Sequence, residues 1–231
     1  LLPLLTSPWV EWVGAYSHFA NIEDTTDSSY AMYQLGVFKK ALADLPAQPQ
    51  FRHFSCSAST ILFPETHFEG VRIGISAYGY WPSKQTYVSA LEKHRRPLAL
   101  QPALSWHAKI AQVKKLPLGT PVGYGLTYKT LHPTRLAVIP VGYFEGYDRR
   151  LSNTAHVLIR GIPAPVRGRI CMNMFMVEVT HIPGVKAGEP VTLLGWEGTE
   201  AVTADTLAEW SGSISYEIIC RISPLIPRTL S

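Results

Sequence analysis

The sequence predicts a fold of class α/β + β, an α/β region followed by a predominantly β-strand domain, and three observations carry that reading. Through residues 1–97, short apolar runs alternate with a three- and four-residue helical spacing, the signature of parallel βα units. Beyond Pro102 the spacing changes to two, with Leu104, Trp106, Ala108 and Ile110 set against Ser105, His107 and Lys109. Glycine and proline turns then recur to the end of the chain, and two of them, Val122-Gly123-Tyr124-Gly125 and Gly142-Tyr143-Phe144-Glu145-Gly146, hold a tyrosine between glycines. The expected division is therefore 1–97 and 98–231.

Taken in order, Trp9 to Ala20 reads as a buried strand. Thr26 or Asp27 is placed to cap a helix whose apolar stripe is Met32, Leu35, Phe38, Leu42 and Leu45, with Pro46 as its stop. A short strand is expected over Arg52–Cys56, a small-residue turn over Ser57-Ala58-Ser59-Thr60, and a further strand over Val71–Tyr78. Lys84 to Arg96 reads as a helix, followed by a proline-containing connection. In the second region, Thr203 caps and Gly212 ends the one helix predicted there, Ala204 to Trp210; everything else reads as strand or turn. Leu118-Gly119-Thr120-Pro121-Val122 and Ala187-Gly188-Glu189-Pro190-Val191 are two similar turns leading into strands, without a repeat architecture.

Composition narrows the function classes. The chain has 231 residues with 46% hydrophobic side chains, ample for a core. No apolar run approaches the roughly 18 residues of a membrane span, and Pro3, Pro8 and Glu11 interrupt the opening one. A net charge of +4, scattered apart from Lys93-His94-Arg95-Arg96 and Lys114-Lys115, argues against a nucleic-acid surface. Cys56, Cys171 and Cys220 are odd in number and lack metal-type spacing, which fits a reducing cytoplasm and implies no metal centre.

Val122 to Tyr128, Ile139 to Arg150 and Gly168-Arg169-Ile170-Cys171-Met172-Asn173 resemble, in the same order, the carboxy-terminal domain of the alanine racemases, which use pyridoxal 5'-phosphate. That resemblance implies the last three strands of an (α/β)8 barrel in residues 1–97 and a β-domain that contributes a catalytic tyrosine in 98–231. It assigns Tyr124 as one of two bases that exchange the substrate's α-proton. It assigns Ser57, Gly74, Ile75 and Tyr216, in the pair Tyr216-Glu217, to the cofactor phosphate. Arg72 would face the pyridine nitrogen, Met172 would hold the substrate carboxylate through its main-chain N–H, and Tyr143 would line the entrance with Arg149, Arg150 and Arg169 close by. His18 is implied at the cofactor, and Tyr124 is implied to reach a partner subunit's copy of it, so that a homodimer carries composite sites.

These residue types suit that chemistry. A phosphate bound without metal wants backbone N–H groups and small hydroxyls. An arginine keeps its protons, so it leaves a pyridine nitrogen unprotonated and weakens the electron sink, which disfavours transamination. A phenol with an ordinary pKa of about 10 needs nearby cations or donors to act as a base near neutrality. On pattern alone, Ser57 would be a turn residue, Arg72 an ion-pairing residue and Tyr124 a hairpin aromatic; the ordered match is what assigns them roles.

Two departures accompany the match. Asn173 stands where the family usually has Asp after Cys-Met, and the family's Schiff-base lysine lies upstream of residue 1. The chain, which begins at Leu1 without Met, is expected to be part of a longer enzyme and inactive by itself. The rival expectations are a racemase of serine or basic amino acids on the same fold and a non-catalytic dimerisation module. A decarboxylase should carry an acid in place of Arg72.

Overall fold

Two apolar runs of the amino-terminal region meet as parallel strands. The computed structural model describes residues 2–5, 7–93 and 98–230, which divide into two compact units, Leu1–Ala103 and Leu104–Ser231. In the first unit the elements are α1 (Leu2–Leu5), β1 (Gly14–Tyr16), α2 (Ser29–Ala43), β2 (Phe51–His53), α3 (Ser57–Leu62) and α4 (Lys84–Lys93). β1 and β2 pair in parallel through Gly14↔Phe51, Ala15↔Arg52 and Tyr16↔His53, with α2 as the crossover between them.

The apolar stripe read from the sequence builds this unit's core. Leu35 is buried with Phe19, Ile22, Ala31, Phe54 and Ala58, while Met32 and Phe38 pack against that cluster. Phe54 is the hub, in edge contact with Phe19 at 4.1 Å and stacked on Phe38 at 4.9 Å between ring centroids. Ser83 caps α4, accepting from Thr86 N at 3.0 Å and donating to Glu23 O at 2.7 Å.

Four expectations for this unit are corrected. The strand predicted over Trp9 to Ala20 shrinks to Gly14–Tyr16, and Trp9, Val13 and Tyr16 are exposed, 92%, 61% and 70%. Trp12 and Tyr16 face a groove of about 720 Å³ shared with Tyr30 and Tyr33 of α2. Neither Thr26 nor Asp27 is the cap of α2: Ser28 takes that position without a side-chain bond, and Asp27 instead accepts from Ser29 N at 2.9 Å. Ser57-Ala58-Ser59-Thr60 is no turn but the start of α3, because Cys56 and Ser59 close a capping box around its first turn. The strand predicted over Val71–Tyr78 is absent: a single bridge joins His53 to Gly70, Arg72 N donates to Ser55 O at 3.0 Å, and the chain then turns at Gly74 into a 3-10 helix, Ile75–Tyr78. Residues 94–97, including the end of the helix predicted to reach Arg96, lie outside the described residues.

The second unit holds β3 (Trp106–Lys109), β4 (Gln112–Leu116), β5 (Pro121–Val122), β6 (Tyr128–Lys129), β7 (Thr134–Ile139), β8 (His156–Ile159), β9 (Ile162–Pro165), β10 (Phe175–Glu178), β11 (Pro190–Glu197), β12 (Glu200–Val202), α5 (Ala204–Ser211) and α6 (Ser215–Arg221). One antiparallel sheet runs β10-β7-β4; a second runs β12-β11-β8-β9 with β3 added on β11; β5 and β6 form a hairpin. Val157, Leu158, Val191, Leu193 and Phe175 are wholly buried.

Gly119 and Gly188 both adopt positive φ, 80° and 88°, in the two similar turns. The cap predicted for α5 is present, Thr203 Oγ1 accepting from Thr206 N at 3.1 Å and Gly212 ending the helix in the left-handed conformation. The expectation that the rest is strand or turn is corrected by α6 and by two 3-10 turns, Tyr124–Leu126 and Arg149–Leu151. Seven residues with the apolar pair Ile218-Ile219 on one side were too short to register as a periodic stripe.

Candidate active site

The first unit gathers Ser57, Arg72, Gly74, Ile75 and His18 after the ends of β1 and β2. Ser57, the first residue of α3, accepts from Gly74 N at 3.0 Å and Ser76 N at 3.4 Å. With its lone pairs so engaged, the hydroxyl proton is left as a donor. A Cβ built on Gly74 meets nothing within 4 Å, so open space fronts this amide. Ile75 is buried below it. The two amides are committed to the Ser57 oxygen, and the donor left over is the hydroxyl proton.

Arg72 is held by main-chain carbonyls, donating to Ser17 O at 2.9 Å, His53 O at 3.3 Å and Phe54 O at 3.4 Å. The same guanidinium reaches His18 Nδ1 at 2.8 Å and bonds His53 Nδ1. Burial first, and the neighbouring Arg72 charge second, hold the His53 imidazole below its usual range. His53 therefore accepts from Arg72 as a neutral ring. It was missed in the sequence; the visible signal was a histidine on a strand one residue from an arginine, which also occurs on ordinary surfaces.

In the second unit Tyr124, Tyr143 and Met172 line one cleft of about 520 Å³ together with Arg149, Ile170, Cys171, Asn173 and Met174. Tyr124 projects from the 3-10 turn between Gly123 (φ 74°) and Gly125 (φ 71°) and is 74% exposed. The turn rests on Gly168 and Arg169: a Cβ on Gly168 would lie 2.7 Å from Val122 O, so only glycine lets the two backbones meet. Tyr143 N donates to Cys171 O at 3.1 Å and Phe144 N to Met172 O at 3.0 Å, which fixes the two walls against each other. Among the described residues no acceptor takes the Met172 N–H.

Glu145 joins those walls and was not singled out from the sequence. Its two carboxylate oxygens accept from Gly142 N at 2.7 Å and from Asn173 Nδ2 at 2.8 Å. Arg150 does not line the cleft; it pairs with Asp148 at 2.7 Å, and Asp148 in turn bonds Arg221 of α6 at 2.9 Å. Burial and these two arginines act on Asp148, the Arg150 bond being the largest influence, and its carboxyl is held below the usual range. Tyr216 is half-buried on α6 and does not line the Tyr124 cleft. Cys171 is a partly buried free thiol bonded to Arg169 O at 3.5 Å. Among the described residues no cluster of three His, Cys, Asp or Glu side chains could hold a metal ion, and no helix is long and apolar enough to cross a membrane.

The family model described as alanine racemase, C-terminal domain, matches residues 103–230, and that described as alanine racemase, N-terminal domain, matches residues 2–82. An alanine racemase of Leptospira interrogans is 44% identical over 218 residues, 93% of this chain and 56% of that protein. A crystal structure of alanine racemase from Bacillus anthracis with bound L-Ala-P superposes with a TM-score of 0.82 at 37% identity, over 94% of this chain and 54% of that one. A Bartonella henselae alanine racemase with covalently bound pyridoxal phosphate gives 0.74 at 30% identity, over 91% and 54%. The chain spans about half the length of the curated relatives it matches.

Proposed function

The chain belongs to the alanine racemase family, and on that premise we propose that it is part of a pyridoxal-phosphate-dependent isomerase that interconverts L- and D-alanine. The observation that carries the reading is the cleft in which the Tyr124 phenol, the Tyr143 phenol and an unengaged Met172 N–H stand together. An amide donor beside a phenol suits an α-amino acid, whose carboxylate needs a donor and whose α-proton needs a base.

The residues of the first unit fit the cofactor. Ser57, whose oxygen takes the Gly74 and Ser76 amides, keeps its hydroxyl proton as a donor beside the open space at Gly74, as a phosphate requires. Tyr216 would add a phenol to that phosphate. Arg72, tied to three carbonyls and to His18, is a rigid permanent donor suited to a ring nitrogen that stays unprotonated. When bound, pyridoxal phosphate supplies an electron sink that acidifies the substrate's α C–H.

In this reading Met172 N–H holds the substrate carboxylate and Tyr143 limits side-chain size at the entrance. Tyr124 accepts the α-proton of L-alanine at its phenol oxygen and returns a proton there in the reverse direction. The opposite face needs a second base, the role that the resemblance gives to a lysine. The exposure of Tyr124 supports a homodimer in which it serves the partner subunit's site. The product D-alanine would supply cell-wall synthesis in the cytoplasm, where Cys56, Cys171 and Cys220 stay reduced.

The test is racemisation of L-alanine, L-serine and L-lysine by the longest native form of the protein, wild type and Tyr124→Phe. Alanine is expected to be the best substrate, and the variant should lose about 10²- to 10⁴-fold in kcat, the usual worth of a positioned acid–base group. Preference for serine or lysine would move the assignment to another amino acid. Full activity in Tyr124→Phe would overturn the mechanism.

A further inference from the structure

The carboxylate of Glu145 spans the two walls of the Tyr124 cleft. One oxygen accepts from Gly142 N at 2.7 Å, next to Tyr143, and the other from Asn173 Nδ2 at 2.8 Å, next to Met172. A carboxylate is acceptor-only, so it requires a donor from each side, and the Asn173 amide is the donor on the Met172 side. Between these two ends the backbone bonds Tyr143 N to Cys171 O and Phe144 N to Met172 O continue the contact. Gly142 is compelled by the same approach: a Cβ there would lie 2.1 Å from Cys171 O. The Glu145 carbonyl is in turn held by Ser223 N at 3.0 Å, just past α6.

We propose that Glu145 and Asn173 form one positioning unit, which sets the distance between the Met172 N–H and the Tyr143 ring and so the fit of the substrate's carboxylate. The proposal rests on the racemase reading for its substrate. Its specific content is that the identity of residue 173 is tied to Glu145. An acid at 173 would face a second carboxylate across 2.8 Å without a proton between them, and the walls would part. Asn173 is therefore the partner that an ionised Glu145 needs. Neither residue touches the reacting atoms.

The experiment uses the full-length protein with Asn173→Asp, Glu145→Gln and the double variant that carries both. In the double variant the bond reverses: the Gln amide donates to the Asp carboxylate while its carbonyl still accepts from Gly142 N. Asn173→Asp should raise KM for L-alanine about tenfold to a hundredfold, the range for a lost charge-assisted bond, with kcat changed less than about threefold. In Glu145→Gln the Asn173 amide can turn over and accept from the Gln amide, so KM should stay within about tenfold of wild type. The double variant should return KM to within about threefold of wild type. Amide hydrogen exchange at residues 171–174 gives the same comparison without activity, fast in Asn173→Asp and slow again in the double. Asn173→Asp with wild-type KM and exchange, or a double variant no better than Asn173→Asp by both measures, would overturn the proposal. A wild type that ignores alanine while the exchange pattern holds would reject the substrate reading and keep the pair.

Discussion

The backbone of Gly123 lies so close to that of Arg169 that a methyl group on Gly123 would sit 2.9 Å from the Arg169 main-chain nitrogen. At Gly125 the same test meets only the Arg169 guanidinium, also at 2.9 Å, and that end of a flexible side chain can move away. Both glycines have positive φ. Alanine at Gly125 should cost about 1–2 kcal/mol for the left-handed backbone, and at Gly123, whose ψ of 175° belongs to a region essentially restricted to glycine, about 1–3 kcal/mol. Gly123→Ala should cost more, displace Tyr124 and lower kcat at least tenfold, whereas Gly125→Ala should leave kcat within a few fold. Equal kcat values for the two variants in the full-length enzyme would show that the Arg169 backbone does not set the tyrosine.

Tyr147 is the one buried side chain among the described residues whose polar atom lacks a hydrogen-bond partner. Its ring is well placed, stacked on Phe175 at 4.6 Å and edge-on to Trp106 at 6.0 Å. Burial drives its phenol far upward, so it stays protonated with an unused O–H. Tyr147→Phe keeps the ring contacts and removes the unsatisfied group, and should stabilise the protein by about 1 kcal/mol in urea unfolding. A loss of stability would mean that the hydroxyl has a partner in solution.

His53 links the Arg72 site to pH. Its folded value lies below the ordinary one, by burial and then by Arg72. Between that depressed value and about 6.5, the unfolded chain binds more protons than the native one. Stability therefore rises as pH is raised through this window and is lost as pH falls through it. His53→Gln should flatten the dependence of the urea midpoint on pH below about 6.5. A variant with the wild-type slope would assign the effect to other groups.

Legibility in the sequence followed how local each signal was. Thr203 and Gly212 bound α5 through contacts within a few residues, and the alternation around Trp106 needed only its own strand, so both were readable. Val71–Tyr78 carried a good strand pattern, yet the one bridge nearby falls at Gly70 and the chain turns at Gly74, because pairing depends on neighbours distant in sequence. Within the candidate site, Tyr124, Tyr143 and Met172 come from three separate motifs whose order revealed them. His53 and Glu145 stayed hidden, since what distinguishes them is the partner each meets across 19 and 28 residues, Arg72 and Asn173.

Arg167 and Glu178 supply the last prediction. Glu178, on β10 with a side chain only 7% exposed, accepts from Arg167 Nε at 2.8 Å, Thr180 Oγ1 at 3.2 Å and Tyr128 OH at 3.5 Å, with His132 Nε2 at 3.3 Å. The Arg167 guanidinium also lies over the Tyr128 ring at 4.8 Å. Burial pushes the Tyr128 phenol up, against the opposing Arg167 charge, so it remains a donor. Removing the arginine alone leaves a buried carboxylate served only by neutral hydroxyls and a histidine. Arg167→Met should therefore cost about 3 kcal/mol. Replacing both partners, as in Arg167→Met with Glu178→Leu, should cost less than the sum of the single changes, since no charge is stranded. Additive losses in a double-mutant cycle of urea unfolding would show that the two residues are held by their other contacts and not by each other.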